Sequence, residues 1–365
     1  MASLRWKLGA DAHAGYPQAF RLTQVGRQRL RFTALMHASG NQIIEQAAEA
    51  TPAAHPLDQN GVYSAAELRS LGVSRGQLRG PRFVRLMHGI YTGADNPNLG
   101  HHWLTIRAAV AATAGRAVIA GPTALRVWGV QLPHRLDQDS RVHLLVERNQ
   151  LKNYRSEVVL HQYRAIDLVE TQLVQRLPVV KPVEAWLGCA LIACHEEMVQ
   201  IGEGLMRYKN PITDPASIER FLRQRGGGLP VGRALAALAD MRPGTDSIRE
   251  TQMRRWIVTS GLPEPQVNPT LLDDQGDLLA RPDCYFAPYR TLAEYDGAIH
   301  GTEANRVRDA NRRRRLQNHG YELVTATKAD LPNPMRFLKD VEAALGRQSA
   351  LLGLPAPVIT GSPQG

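Results

Sequence analysis

The chain has little sulfur chemistry to offer. Its three cysteines, Cys189, Cys194 and Cys284, form no CxxC pair and leave an odd thiol under any disulfide scheme. That argues against a disulfide-stapled scaffold and a cysteine zinc site, and it suits a reducing cytoplasm. Long apolar runs are lacking too. The most apolar stretch, Ala185 to Cys194, is far too short to span a bilayer and ends in His195-Glu196-Glu197. Arg5, Lys7 and the arginines up to Arg31 are followed by no continuous apolar segment, so neither a signal peptide nor a membrane anchor is expected. Aromatic residues are sparse, and no internal repeat is visible.

Positive charge is abundant. Lys and Arg number 44 against 34 Asp and Glu, a formal charge of +10 that favours an anionic partner, most commonly nucleic acid. A basic surface without such a partner is the plainer alternative. At 365 residues the chain exceeds what one core usually serves, so two or three domains are expected. Residues 1–55 show no clean period and read as a partly disordered extension, within which Met36 is an alternative start. Breaks near Ala94-Asp95-Asn96-Pro97 and Arg242-Pro243-Gly244 then divide the chain into blocks at 56–95, 98–242 and 246–347. Residues 348–365 follow as a flexible tail rich in Pro, Gly and Ser.

In the first block Ser64 is placed to cap a short helix from Ala65 to Leu71, with Glu67 at the capping-box position. Ser74 is placed to cap a second short helix ending before Gly80-Pro81, and Phe83 to Leu86 and Gly89 to Tyr91 alternate like a hairpin. Helix, turn, helix and hairpin is the outline of a winged helix-turn-helix, in which Arg75, Gln77 and Arg79 would face a DNA groove, with Arg82 and Arg85 near phosphates. Small winged helices also serve as protein-interaction modules. The middle block predicts helices over Leu104–Ala114, Pro122–Trp128 and Val183–Arg207 and strands over Val142–Val146 and Val158–His161. Adjacent His101-His102 point apart, and His195-Glu196-Glu197 lacks the second histidine of a zinc-protease helix. Gly226-Gly227-Gly228 reads as a flexible turn, because no strand leads into it.

The C-terminal block holds the candidate chemistry. A helix from Ser247 to Ser260 puts Glu250 in the apolar stripe of Met253 and Ile257, where it needs an arginine or a nearby metal. The run Leu278–Phe286 reads as one strand with Leu279, Arg281, Asp283 and Tyr285 on one face. Thr291–Asp296 reads as its neighbour, with Glu294 and Asp296 on one face. Acids clustered in this way repel unless a cation intervenes, and hard oxygen ligands suit Mg2+ or Mn2+. The alternative is a solvated face paired to Arg281 or Arg290. A helix from Glu303 to His319 carries Arg306, Arg308 and the run Arg312-Arg313-Arg314-Arg315, suited to phosphate contact.

Two resemblances sharpen these readings. Gly61-Val62-Tyr63-Ser64, Leu71 to Arg75, His88 to Tyr91, Gly121 to Ala124 and Trp128-Gly129-Val130 resemble AbiEi-type antitoxins, the repressor half of type IV toxin–antitoxin pairs. Pro282-Asp283, Glu294-Tyr295-Asp296-Gly297 and His300 resemble the PD-(D/E)xK nucleases, in particular the branch related to very-short-patch-repair (Vsr) endonucleases. Ser247 and Glu250 match its opening motif, and Arg308-Asp309, Arg312-Arg313, Gly320-Tyr321 and Asp330-Leu331 match its later ones.

The resemblance implies a multidomain α/β chain: an N-terminal winged helix-turn-helix, a mixed α/β middle domain and a C-terminal restriction-endonuclease-like α/β/α domain. It implies that Asp283 and Glu294 hold Mg2+ or Mn2+, that Glu250 orients a water or ligand, and that the Tyr295 carbonyl coordinates. Asp296 stands where a lysine is expected, an acid this branch commonly carries, which leaves His300, Lys328 or an arginine for the missing cation or base. The implied protein is a cytoplasmic DNA-binding endonuclease in a toxin–antitoxin, defence or repair setting, with DNA and a cognate toxin as partners. The alternative is a non-catalytic repressor.

Overall fold

The computed structural model describes residues 58, 60–148, 156–163, 169–297 and 303–361; the N-terminal extension and His300 lie outside them. From residue 60 onward the described residues form one compact unit of mixed α/β character.

Strand β1 (Tyr63–Ser64) leads into α1 (Ala65–Ser70), where Ser64 and Glu67 form the reciprocal capping box. The expected second helix is a single 3-10 turn, Gln77–Arg79. Ser74 and Gln77 bond each other in capping-box fashion, but Gly80-Pro81 follows at once, and a proline disfavours helical geometry in the residue before it. Strands β2 (Phe83–Met87) and β3 (Ile90–Gly93) close a three-stranded sheet in the order β1-β3-β2.

The middle of the chain follows with α2 (His102–Ala112), β4 (Ala117–Ile119), α3 (Gly121–Val127), α4 (His134–Asp137), β5 (Val142–Glu147) and β6 (Val158–Tyr163). Then come β7 (Thr171–Val174), β8 (Leu177–Val180), α5 (Pro182–Cys189), α6 (His195–Leu205), α7 (Pro215–Arg225) and α8 (Leu229–Asp240). The five strands order as β6-β5-β4-β8-β7. The single helix expected over Val183–Arg207 is two helices. Glu197 reaches back to accept from the Cys194 backbone N–H at 2.8 Å, and this box starts α6 afresh. Gly226 and Gly228 both adopt positive φ between α7 and α8. Met87 and Ile90 of the hairpin share one hydrophobic core with residues as distant as Met241, so the first block and the middle block are packed together.

The last segment comprises α9 (Ile248–Thr259), β9 (Gln266–Val267), β10 (Leu271–Leu272), β11 (Leu278–Ala280), β12 (Cys284–Phe286), β13 (Thr291–Asp296), α10 (Glu303–Asn318), β14 (Glu322–Thr327) and α11 (Met335–Leu352). The strand expected over Leu278–Phe286 is broken. Pro282 has no N–H to give a ladder, and the chain changes sheet there: β11 pairs with β10, and β12 with β13 and β9. Leu279 and Arg281 therefore do not share a strand face with Asp283. The main sheet runs β14-β13-β12-β9, with β13 and β14 parallel.

Alternation along these strands fills two cores. Cys284, Phe286, Ala293, Val324 and Ala326 face Met253, Trp256 and Ile257 of α9 and Phe337, Leu338 and Val341 of α11. Leu292 belongs to the opposite core, with Leu316 of α10 and Leu279 and Ala280 of β11. The expected flexible tail is docked as far as Gly361. Thr360 and Gly361 donate backbone N–H groups to the Ser260 carbonyl at 2.9 Å each, and Ile359 packs against the α9/α11 core.

Candidate metal and nucleic-acid site

Register brings the two principal acids together. Cys284 lies opposite Ala293, so one further step along the antiparallel pair sets Asp283 opposite Glu294. The Tyr295 backbone N–H donates to Asp283 Oδ2 at 2.8 Å, which fixes the carboxylate across the strand gap. Glu294 has the same strand parity as Leu292 and so points to the α10 side. There Arg312 grips both its oxygens, Nη1 reaching Oε2 at 2.7 Å and Nη2 reaching Oε1.

Glu250 arrives from the start of α9. Its expected arginine partner is replaced by neutral donors: Oε1 accepts from Ser247 Oγ at 2.9 Å, and Oε2 accepts from the Asp246 N–H at 2.8 Å and from Asn268 Nδ2 at 2.9 Å. Those donors satisfy it without a charge of their own, Ser247 and the Asp246 N–H from the turn before the helix and Asn268 from just past β9. Asn268 also gives its backbone N–H to the Asp283 carbonyl at 3.1 Å, so one residue bridges Glu250 and the strand that carries Asp283. Asn268 sits at φ 46°, a left-handed conformation that asparagine tolerates. Sequence reasoning passed over Asn268; the Asn268-Pro269 pair, a turn-forming dipeptide between β9 and β10, was its one visible signal.

Burial is the largest influence on Asp283 and raises its pKa from 3.8 to about 7. The Tyr295 N–H opposes that, the Glu250 and Glu294 charges push the same way as burial, and Arg312 offsets them. The acids therefore sense one another electrostatically. Two neighbouring carboxylates are the hard oxygen donors that a divalent cation such as Mg2+ takes, with waters filling its remaining positions. Among the described residues, no group of three His, Cys, Asp or Glu side chains is arranged as a ready metal cage.

A cleft of about 540 Å³ opens beside these groups, lined by Glu294, Tyr295, Asp296, Asp309, Arg312 and Arg313 among others. Asp296 is exposed at the end of β13, opposite Thr327 of β14, so Lys328 follows directly at the same end of the sheet. Arg308 and Arg313 are exposed on α10. In the first block Arg75, Gln77, Arg79 and Arg85 are all exposed, Gln77 spending its carbonyl oxygen on the Ser74 N–H at 2.7 Å. Two strong features escaped the sequence: the Arg312–Glu294 fork, and Arg281 lying over the Tyr208 ring, 3.3 Å from its centroid. No family model matches the chain, and no curated protein and no solved structure matches it.

Proposed function

We propose that the chain is a DNA-binding protein whose C-terminal sheet carries a Mg2+-dependent endonuclease site, hydrolysing phosphodiester bonds in a toxin–antitoxin, defence or repair setting. The observation that carries this reading is the placement of Asp283, just before β12 and held by the Tyr295 N–H, next to Glu294 of β13, which lines a cleft with Arg312 and Arg313, while Glu250 is anchored nearby through Asn268. The order of elements supports it: a leading helix, antiparallel strands, the arginine-rich α10 and a parallel last strand, as expected of a Vsr-like restriction-endonuclease-like domain.

Asp283 and Glu294 would hold the ion, which supplies an acidified water and polarises the phosphoryl group. Glu250 holds Asn268 and, through it, the position of the Asp283 backbone. Arginines of α10 bind phosphate with their planar forks. The exposed Arg75, Arg79 and Arg85, around a single 3-10 turn and the hairpin in place of a full recognition helix, give the first block a basic face for DNA phosphates.

One observation favours a second reading, a non-catalytic AbiEi-like repressor. Glu294 is already neutralised by Arg312, and Asp296 stands where a catalytic cation is expected. Incubation of the full chain with supercoiled and single-stranded DNA in Mg2+ or Mn2+ separates the two. Cutting by the wild type and not by the Asp283→Ala/Glu294→Ala variant is the expected result. Tight, salt-sensitive DNA binding with no cutting by either selects the repressor.

A further inference from the structure

Glu294 has two suitors for one carboxylate. Arg312 holds it from α10 with both ends of its guanidinium, while the reading above gives the same oxygens to a divalent ion. A cation approaching Glu294 would sit against the guanidinium charge, so the ion and the arginine exclude each other in this geometry.

We infer that Arg312 is an exchangeable counter-ion: it occupies the cation position on Glu294 until a nucleic-acid phosphate draws it away, so that DNA binding admits the metal. This rests on the nuclease reading and adds to it a coupling between substrate and metal. Three observations carry it. The first is the two-point grip itself, a geometry a phosphate offers equally well. The second is exposure. The Arg312 side chain is 39% exposed and that of Glu294 18%, so solvent and substrate reach the pair, and exchange leaves no charge stranded in a dry interior. Arg254, by contrast, is 0% exposed and fixed in place. The third is location. Arg312 and Glu294 line the same cleft with Arg313 and with the acids Asp296 and Asp309, so a phosphate entering there meets Arg312 with a second arginine beside it, and an incoming cation meets further carboxylates.

Charge balances at each step. The Glu294–Arg312 pair becomes a Glu294–metal contact and an Arg312–phosphate contact, with no covalent change. The coupling is reciprocal by linkage, so metal must also tighten DNA binding by the same factor.

The test uses the full chain and two readouts that do not depend on cleavage. Mn2+ binding is titrated by electron paramagnetic resonance without DNA, for wild type, Arg312→Gln, Arg312→Lys and Asp283→Ala/Glu294→Ala, each checked for folding by circular dichroism. Affinity for a labelled 16-base-pair duplex is measured by anisotropy with and without Ca2+. Arg312→Gln should bind Mn2+ about ten-fold or more tighter than wild type, at a site the double carboxylate variant lacks. Arg312→Lys, which keeps the charge and loses the fork, should fall between. Ca2+ should tighten duplex binding about ten-fold in wild type and much less in Arg312→Gln. A carboxylate-dependent Mn2+ site of equal affinity in wild type and Arg312→Gln would overturn the exchange and leave the metal site standing. Absence of any Mn2+ site sensitive to Asp283 and Glu294 would remove the metal reading itself, and the exchange with it.

Discussion

Glu203 of α6 and Arg254 of α9 form an ion pair in which both side chains are 0% exposed. Glu203 also accepts from Thr251 Oγ1 and the Arg242 N–H, each at 2.8 Å, and Arg254 donates to the Asp240 carbonyl at 2.8 Å and to Glu264 at 3.1 Å. Burial raises the Glu203 pKa, and the Arg254 charge opposes it. The pair ties the middle of the chain to the helix that presents Glu250, so the candidate site stands on packing between segments distant in sequence.

Breaking that pair should be costly. Arg254→Met leaves a carboxylate in a dry interior, and a loss of about 3–5 kcal/mol is expected in urea unfolding of the full chain. Adding Glu203→Leu to the same variant should recover much of that loss, because no uncompensated charge remains. A double variant as unstable as the single one would show that packing, not charge, is what Arg254 supplies.

In the first block, Arg75 and Arg79 are exposed and free of the core, so their replacement tests DNA contact without a folding penalty. Each Arg→Ala change should weaken duplex binding and reduce the slope of log affinity against log salt by about 1. An unchanged slope in the Arg75→Ala/Arg79→Ala variant would assign that surface to protein contact.

The sequence made some of this legible and hid the rest for identifiable reasons. Ser64, Glu67 and Ser247 announced helix starts, because capping chemistry is local and reads within four residues. Period-two alternation located β13 with its Glu294 and Asp296. The split at Pro282 was signalled by the proline, yet the exchange between sheets depends on β10, whose two residues carry no period. One neutral donor of Glu250 comes from Asn268, eighteen positions further on, and the fork of Arg312 on Glu294 spans eighteen positions as well. Neither pairing leaves a pattern in composition or spacing.

The docked tail offers a separate test. Ending the chain at residue 354 removes Ile359 from the α9/α11 core and the two N–H donations to Ser260. A loss of about 1–3 kcal/mol is expected from that apolar burial and those bonds. Gly361→Ala should mimic part of it, since a Cβ there strikes the Thr259 carbonyl oxygen. A truncated chain with an unchanged urea midpoint would mean that the contact is incidental.

Asp283 should make the protein less stable as pH rises. Its folded pKa, about 7, lies above the ordinary 3.8, so between those values the folded chain holds a proton that the unfolded chain has released. More protons bound to the folded state means that stability falls with pH: the contribution is complete below pH 3.8 and is lost as pH rises through 7. Partial exposure and solvent screening limit the effect, and on the order of 2 kcal/mol between pH 4 and 8 is expected in the absence of divalent ions. Asp283→Asn keeps an acceptor for the Tyr295 N–H and removes the charge. It should match wild type near pH 4 and exceed it at pH 8 in thermal or urea unfolding. With a DNA duplex bound, Mg2+ should then raise the stability of wild type at pH 8, because an ion that binds only the folded chain stabilises it, and should leave Asp283→Asn unmoved. An Asp283→Asn variant no more stable than wild type at pH 8 would mean that the carboxylate is already compensated within the fold, and that the chain carries no electrostatic strain there for a cation to relieve.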